Sequence, residues 1–371
     1  MTKSNTSSKV IPWYQPAMVG LELDYIRGAF NRNYINDGPL TREFEKVISE
    51  IVGVHYAVAV PSGTVAIALA LMALGVGPGD EVIVPNLTFI ATANAVRLTG
   101  AEPVLVDVEL VRFTIDPLAV ADAITPKTRA IVPVDVNGRG ADYAALELLC
   151  KKHELFLVCD SAEAFGSKYK GKNLGSFGDA AALSFSANKT ISTGQGGMLL
   201  TNSEKVFQRA NQIKDQGRLH RGSGGDDLHP TMGFNFKYTD LQAAVGLAQL
   251  EAFEHRCKLA VARDQWYFDA LEQCPEITLP DYKSEKGEIR QWTDILFNNR
   301  DAVKNALDDN NMGSRAFWHP LNKQVPYADQ KKEFSQSHLI SRKGLWLPSS
   351  FAITEQDVTD VVNVINKTIF K

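Results

Sequence analysis

The sequence predicts an α/β protein with a largely parallel sheet and a smaller second domain. Between residues 56 and 201, short runs rich in Val, Ile and Leu alternate with helical patterns. Because these runs are apolar at nearly every position, they are typical of strands buried on both faces of a sheet. Strands that alternate with helices favour parallel pairing. The chain of 371 residues also exceeds the usual size of one hydrophobic core.

The predicted elements follow one another in a regular order. Seven strands are expected at 56–60, 81–84, 102–108, 130–136, 155–159, 180–185 and 197–201. Helices between them are expected at 62–74, 92–99 and 143–153, and a helical pattern runs from 238 to 270. A strand (292–297), a helix (301–310), an extended piece (314–318) and a last helix (354–369) complete the chain. We therefore expect a large α/β domain over 1–250, which includes the N-terminal arm, and a small α+β domain over 251–371.

The bulk composition argues against several classes of protein. A net charge of -4 and a pI near 6.0 give no basic surface for nucleic acid or anionic membranes. The N-terminus is polar, and no window approaches the roughly 20 apolar residues of a membrane span. No cysteine lies in a C-x-x-C pair or at zinc-ligand spacing, which argues against a metal site or a disulfide framework. We expect a soluble, cytoplasmic protein with reduced thiols.

Small polar residues follow the first predicted strand. Ser62, Gly63 and Thr64 stand where a helix begins, and free backbone N–H groups at a helix start bind anions. An ordinary Ser/Thr helix cap is the alternative interpretation. The later glycines of the stretch 194–197 precede a strand and do not open a helix, so the dinucleotide-binding fingerprint is absent.

Two charged residues come directly after buried strands. Asp160 ends the run 155–159, at the edge where open α/β sheets bind ligands, and a buried carboxylate there needs a positive partner. A protonated pyridine nitrogen is such a partner; a cap on the next helix is the equally good alternative. Lys189 follows the strand 180–185 among small neighbours, which suits Schiff-base chemistry, although most lysines in isolation lie on the surface.

Taken together, these stretches resemble the DegT/StrS-type sugar aminotransferases, which have the aspartate aminotransferase fold. The resemblance covers nearly the whole chain, and its order and spacing are specific. The stretches that carry it are NDGP (36–39), VPSGTVA (60–66), PNLTFIAT (85–92), DSAEAFG (160–166), GSFGD (175–179), SFSANKTISTGQGG (184–197) and GFNF (233–236). Departures from the family pattern at Ser161, Gln195 and Lys237 lie near the expected site and bear on the substrate more than on the reaction type.

The resemblance implies a pyridoxal 5'-phosphate enzyme that passes through the pyridoxamine 5'-phosphate form. Lys189 would carry the cofactor and move the proton, Asp160 would pair with the ring nitrogen, and Glu163 would face the phenolic oxygen. A homodimer with shared active sites is implied as well, because one of the phosphate contacts would come from the neighbouring subunit. The remaining cofactor contacts would be Gly63, Thr64 and Ser184 at the phosphate, Phe89 on the ring, and Asn235 at the partner's phosphate.

The implied reaction moves the amino group of L-glutamate to a carbonyl sugar, most simply a nucleotide-linked 4-keto-6-deoxy sugar used for surface polysaccharide or lipopolysaccharide. A free sugar acid with a terminal aldehyde is the alternative substrate. A sugar dehydratase and a catalytically silent dimeric module are alternatives of other classes. Lys189 argues against the branch that has histidine in its place. The expected substrate contacts are Arg315, Trp318, His319, Tyr327, His220 and Arg221, of which Trp318 suits the small-domain core equally well and the last two suit plain surface charge.

Overall fold

The structure is a computed structural model that describes residues 9–219, 228–328 and 332–370. Its strands in the first domain are β1 (Tyr56–Val60), β2 (Glu81–Pro85), β3 (Glu102–Val106), β4 (Thr128–Ile131), β5 (Phe156–Asp160), the short β6 (Lys168–Tyr169) and β7 (Lys172–Asn173), β8 (Ala180–Ser184) and β9 (Gly197–Thr201). Seven of them form one sheet in the order β1-β9-β8-β5-β4-β2-β3. Only β9 runs in the direction opposite to the other six strands of this sheet. The predicted seven-stranded, mostly parallel sheet is confirmed.

Helices cover both faces of this sheet. They are α1 (Glu22–Asn31), α2 (Pro39–Val52), α3 (Gly63–Ala73), α4 (Ala91–Leu98), α5 (Pro117–Ala123), α6 (Tyr143–His153), α7 (Glu204–Lys214) and α8 (Asp240–Leu250). Successive side chains of β1 enter different cores: Ala57 and Ala59 pack on one face, and Val58 and Val60 pack on the other. This alternation explains why the strands are apolar at nearly every position.

The small domain is built on a second sheet. Its strands are β10 (Ile277–Thr278), β11 (Asp294–Phe297), β12 (Arg315–Ala316) and β13 (Gly344–Trp346), and they pair antiparallel in the order β10-β11-β13-β12. Its helices are α9 (Phe253–Leu271), α10 (Arg300–Asp309), α11 (Ser335–Lys343) and α12 (Glu355–Ile369). The helical pattern expected over 238–270 is thus two helices, α8 and α9, because the chain leaves helical geometry at Ala252.

The boundary at residue 250 stays a prediction, and two segments cross between the halves of the chain. Ile11 bridges to Met312 and joins the core of the small domain. In the other direction, Leu321, Tyr327 and Phe334 pack into the core of the large domain. These crossings fasten the two domains around the cleft in which the candidate site lies.

Within the described ranges, no helix is long and apolar enough to cross a membrane. The same residues contain no cluster of three or more His, Cys, Asp or Glu side chains suited to a metal ion. All four cysteines are free thiols. The stretch 216–231 is rich in Gly, Arg and His, which predicts a loop, and its residues 220–227 lie outside the described residues.

Candidate active site

A cavity of about 320 Å³ opens at the carboxyl ends of the parallel strands. This volume lies at the lower end of the range of small-ligand pockets, which is about 300–1,000 Å³. The strand ends of the large domain form its floor, and Trp292, Arg315 and Trp318 of the small domain form its wall. Seven of the eight predicted cofactor contacts line it: Gly63, Thr64, Phe89, Asp160, Glu163, Ser184 and Lys189.

Lys189 lies in the loop between β8 and β9 with its amine inside the cavity. Its side chain is 11% exposed, and its Nζ is 3.6 Å from Oε1 of Glu163. The amine also lies 5.0 Å from the ring centroid of Trp292. The loop is held from outside, because the hydroxyl of Tyr14 donates to the carbonyl of Lys189 at 2.9 Å. The interpretation of Lys189 as an ordinary surface lysine is therefore wrong.

Asp160 is the last residue of β5 and is only 5% exposed. Its carboxylate accepts hydrogen bonds from the Thr92 hydroxyl (2.8 Å) and the Ala162 amide (3.2 Å). Burial raises the pKa of Asp160, although these two donors and the charge of Lys189 act in the opposite direction. Turns and no helix follow this residue, so the helix-cap alternative does not apply. Among the residues that the structure describes, no lysine, arginine or histidine forms an ion pair with this carboxyl group, and a buried carboxylate favours a positive partner.

Glu163 is the second buried carboxyl group that lines the cavity beside Lys189. Burial raises the pKa of Glu163, and the nearby Lys189 lowers it. The backbone amide of Asn137 donates to Oε2 of Glu163 at 3.1 Å and fixes the carboxylate. Two buried carboxyl groups thus face one amine, an arrangement that attracts a further positive group.

The start of α3 forms the opposite end of the cavity. Ser62 caps this helix, since its Oγ accepts from the amide of Val65 at 3.2 Å. The helix-cap interpretation is confirmed. Gly63 and Thr64 also line the cavity with Ser184, and anion binding by this stretch stays a prediction. A Cβ added at Gly63 would lie 3.0 Å from Cβ of Ser184, so the glycine keeps this end open. Amide groups at a helix N-terminus and two hydroxyls are the kinds of group that bind a phosphate.

The predicted substrate contacts divide into three groups. Arg315 and Trp318 line the cavity. His319 lies in two neighbouring cavities and not in this one. Tyr327 is buried in the core of the large domain, where its hydroxyl donates to Oδ1 of Asn94 at 2.6 Å. His220 and Arg221 lie outside the described residues.

Arg315 and Trp318 also belong to an aromatic cluster. The guanidinium of Arg315 lies 5.1 Å from the ring centroid of Trp13 and 5.5 Å from that of Trp346. Trp318 packs edge-on against Trp346 at 4.9 Å. Trp318 therefore packs in a hydrophobic core with Trp346 of the small domain and also lines the cavity, and its contact with a substrate stays a prediction.

Asn235 lies apart from the cavity of its own chain. It pairs with Asp215 in an isolated bridge, and its neighbour Lys237 forms an ion pair of 2.8 Å with the same aspartate. This placement is compatible with a contact to a second subunit, which stays a prediction.

Several residues at the site carried no sequence signal of their own. Trp292, Tyr14 and Asn137 come from distant parts of the chain, and only the tertiary fold brings them to Lys189 and Glu163. Thr92 lies within the stretch 85–92 that carried the resemblance, but its bond to Asp160 could not be seen there.

Comparison with known proteins agrees with this geometry. The model of the DegT/DnrJ/EryC1/StrS aminotransferase family matches residues 17–366. GDP-perosamine synthase of Caulobacter vibrioides is 36% identical over 366 residues, covering 95% of this chain and 97% of that protein. The enzyme of the same name from Escherichia coli O157:H7 is 34% identical over 366 residues, covering 97% and 98%.

A solved structure gives the same fold. The structure of DesI in the presence of its TDP-sugar product superposes with a TM-score of 0.89 at 27% identity, covering 97% of this chain and 93% of that chain. The predicted fold and enzyme class are confirmed. The chain belongs to the DegT/DnrJ/EryC1/StrS aminotransferase family, whose cofactor is pyridoxal phosphate.

Proposed function

We propose that this protein transfers the amino group of L-glutamate to the keto carbon of a nucleotide-linked 4-keto-6-deoxy sugar, in the synthesis of surface polysaccharide or lipopolysaccharide. The observation that carries the proposal is the meeting of Lys189, Asp160 and Glu163 in one cavity that ends at the start of α3. The relatives support the sugar, since two are named GDP-perosamine synthase and DesI was solved with a TDP-sugar product.

The residues present fit pyridoxal phosphate. In the described part of the chain, the buried carboxyl group of Asp160 accepts from the Thr92 hydroxyl and the Ala162 amide and has no cation at hydrogen-bond distance, and a protonated ring nitrogen would supply one. Gly63, Thr64 and Ser184 would bind the phosphate. When bound, the cofactor supplies a carbonyl that condenses with amines and a ring that withdraws electrons. Phe89 borders the cavity and is 51% exposed, and a ring packed against it would cover this apolar surface.

Each polar residue then has a role at a stated atom. The amine of Lys189 would hold the cofactor, and as a free amine it would move a proton to or from the substrate carbon. Asp160 would keep the ring nitrogen protonated, and Glu163 would face the phenolic oxygen. Trp292 and Trp318 exclude water from the small-domain side of the cavity. Arg315 offers a planar fork to an anionic group of the substrate.

We also propose that the active unit is a homodimer in which Asn235 reaches the phosphate in the partner's cavity. The surface near this residue supports a partner, because large apolar side chains are exposed at Leu228 and Met232. Tyr34 and Ile35 are exposed on the neighbouring segment, whose residue Asn36 accepts from the amide of Asp240. Exposed apolar clusters of this kind mark association surfaces.

The test incubates the cofactor-loaded protein with L-glutamate and candidate sugars and follows the product by mass. We expect an amino sugar from a nucleotide-linked 4-keto-6-deoxy sugar, no product without glutamate, and no multiple turnover by Lys189→Ala. Lys367→Ala, at an exposed lysine of α12, is the matched control and should keep full rate. Amination of a free aldehyde sugar acid alone would reject the proposed substrate. A deoxygenated product formed without glutamate, or no conversion of any sugar, would reject the proposed reaction.

A further inference from the structure

A second buried carboxyl group lies behind the candidate site. Asp135 is fully buried and accepts three hydrogen bonds, from the Ser161 hydroxyl (2.6 Å), the Tyr143 hydroxyl (2.7 Å) and the Ala141 amide (3.2 Å). Within the described part of the chain, it forms no ion pair with a lysine, arginine or histidine. Three donors around one carboxylate stabilise its charged form.

The backbone ties Asp135 to both carboxyl groups of the cavity. The amide of Asp135 donates to the carbonyl of Asp160, and the amide of Asp160 donates to the carbonyl of Pro133, each at 2.9 Å. Two residues further on, the amide of Asn137 holds Glu163. A change in the position or charge of Asp135 would therefore act on Asp160 and Glu163, the two carboxyl groups of the cavity.

The groups that face Asp135 are acidic or neutral. Burial raises the pKa of Asp135 to about 7, the donors Ser161, Tyr143 and Ala141 lower it, and the charge of Asp160 raises it. Burial also raises the pKa of Tyr143 and of Cys159 well above their usual values, so both stay neutral. A cation bound at Asp160 would relieve the repulsion between the two aspartates and favour the ionised form of Asp135.

We propose that Asp135 is a positioning residue whose carboxylate, held by Ser161 and Tyr143, acts through Asp160 to keep the ring nitrogen of bound pyridoxal phosphate protonated. A negative charge behind a carboxylate–cation pair raises the affinity of that pair for its proton. The proposal also gives a role to Ser161, which departs from the family pattern: its hydroxyl donates to Asp135 and holds that carboxylate. The inference rests on the role proposed for Asp160 but not on which sugar is aminated.

The test is a pH titration of the 15N chemical shift of ring-nitrogen-labelled pyridoxal phosphate bound to Asp135→Asn. The asparagine side chain keeps the shape of the aspartate and one acceptor oxygen, but it carries no negative charge. We expect the pKa of the ring nitrogen of the bound cofactor to fall by about one unit and the affinity for pyridoxal phosphate to fall about tenfold, since one pKa unit is a factor of ten. Ser161→Ala removes one donor and should shift the midpoint in the same direction by less.

Asp142→Asn is the matched control. Asp142 is exposed and caps α6 by accepting from Ala145 at 3.3 Å, so its loss lowers stability but should leave the titration unchanged. If Asp135→Asn and Ser161→Ala lower the Tm yet titrate like the unchanged protein, Asp135 only supports the fold and the inference is wrong. If Asp135→Asn does not fold, an unshifted Ser161→Ala rejects it equally. If the titrations of Asp135→Asn and Ser161→Ala shift as expected but the unchanged protein aminates no sugar, the proposed function is rejected and this inference is kept.

Discussion

The buried ion pair between Arg139 and Asp294 should control how firmly the two domains hold the cleft. The guanidinium meets both carboxylate oxygens, at 2.9 and 2.6 Å, and both side chains are 0% exposed. Asp294 lies on β11, two residues after Trp292, which borders the cavity. Breaking a buried pair costs about 3–5 kcal/mol, because one charge stays buried without its partner.

Substitutions of the two partners should lower the free energy of unfolding by different amounts. Arg290 also lies 3.7 Å from Asp294. Asp294→Asn therefore leaves two buried guanidinium groups without a carboxylate, whereas in Arg139→Met the carboxylate of Asp294 still has Arg290 as its cation. We therefore expect Asp294→Asn to cost about 3–5 kcal/mol and Arg139→Met to cost less. With an unfolding entropy of about 2.1 cal/mol/K per residue over 371 residues, the larger loss lowers the Tm by about 4–6 °C.

The assay is thermal unfolding of the cofactor-free protein, with Lys304→Ala as the control. Lys304 forms an exposed pair with Asp308 at 2.5 Å on α10, and exposed pairs of this spacing contribute only about 0.3–0.5 kcal/mol. If Asp294→Asn unfolds within 1 °C of Lys304→Ala (about the size of the control effect), the domains do not depend on this pair and the reasoning is wrong.

Three further predictions concern the site. Gly63→Ala places a methyl group against Ser184 and should weaken cofactor binding at least about tenfold, measured by fluorescence titration, whereas Gly28→Ala, which meets open space, should not. Lys189→Ala should complete at most one half-reaction, seen by rapid mixing with glutamate; repeated turnover would contradict its role. Because the pKa of Asp135 is raised from 3.8 to about 7, its contribution to stability is complete below about pH 4 and is lost as the pH rises to about 7. The Tm of Asp135→Asn should therefore fall less over that interval than the Tm of the unchanged protein.

The strands of the large sheet could be predicted because burial on both faces leaves a local pattern. β1 and β9 have the predicted bounds, and β2, β3, β5 and β8 begin and end within two residues of them. β4 was predicted over 130–136 but spans Thr128–Ile131, so it ends five residues earlier than predicted. The break between α8 and α9 was missed, since Glu251 and Ala252 are both good helix formers and only tertiary packing turns the chain there. β12 lies within the extended piece predicted over 314–318. The short strands β10 and β13 exist through pairing with distant partners, and residues this few carry little pattern of their own.

The cofactor end of the site was predictable, and its walls were not. Lys189, Asp160 and Gly63 follow strands, and a shared sheet edge brings them together. Tyr327 was expected at the substrate, but its hydroxyl is bound by Asn94 in the core because the segment after His319 returns to the large domain. An aromatic residue in a polar stretch looks the same in sequence whether it faces a ligand or a core.

The central claim is that the amine of Lys189 holds the cofactor. Borohydride reduction of the pyridoxal-phosphate-loaded protein, followed by peptide mass mapping, tests it most directly. We predict one phosphopyridoxyl group per chain, on the peptide that contains Lys189. A protein that takes up no label, or that carries it on the buried Lys214 or another lysine instead, would contradict the account.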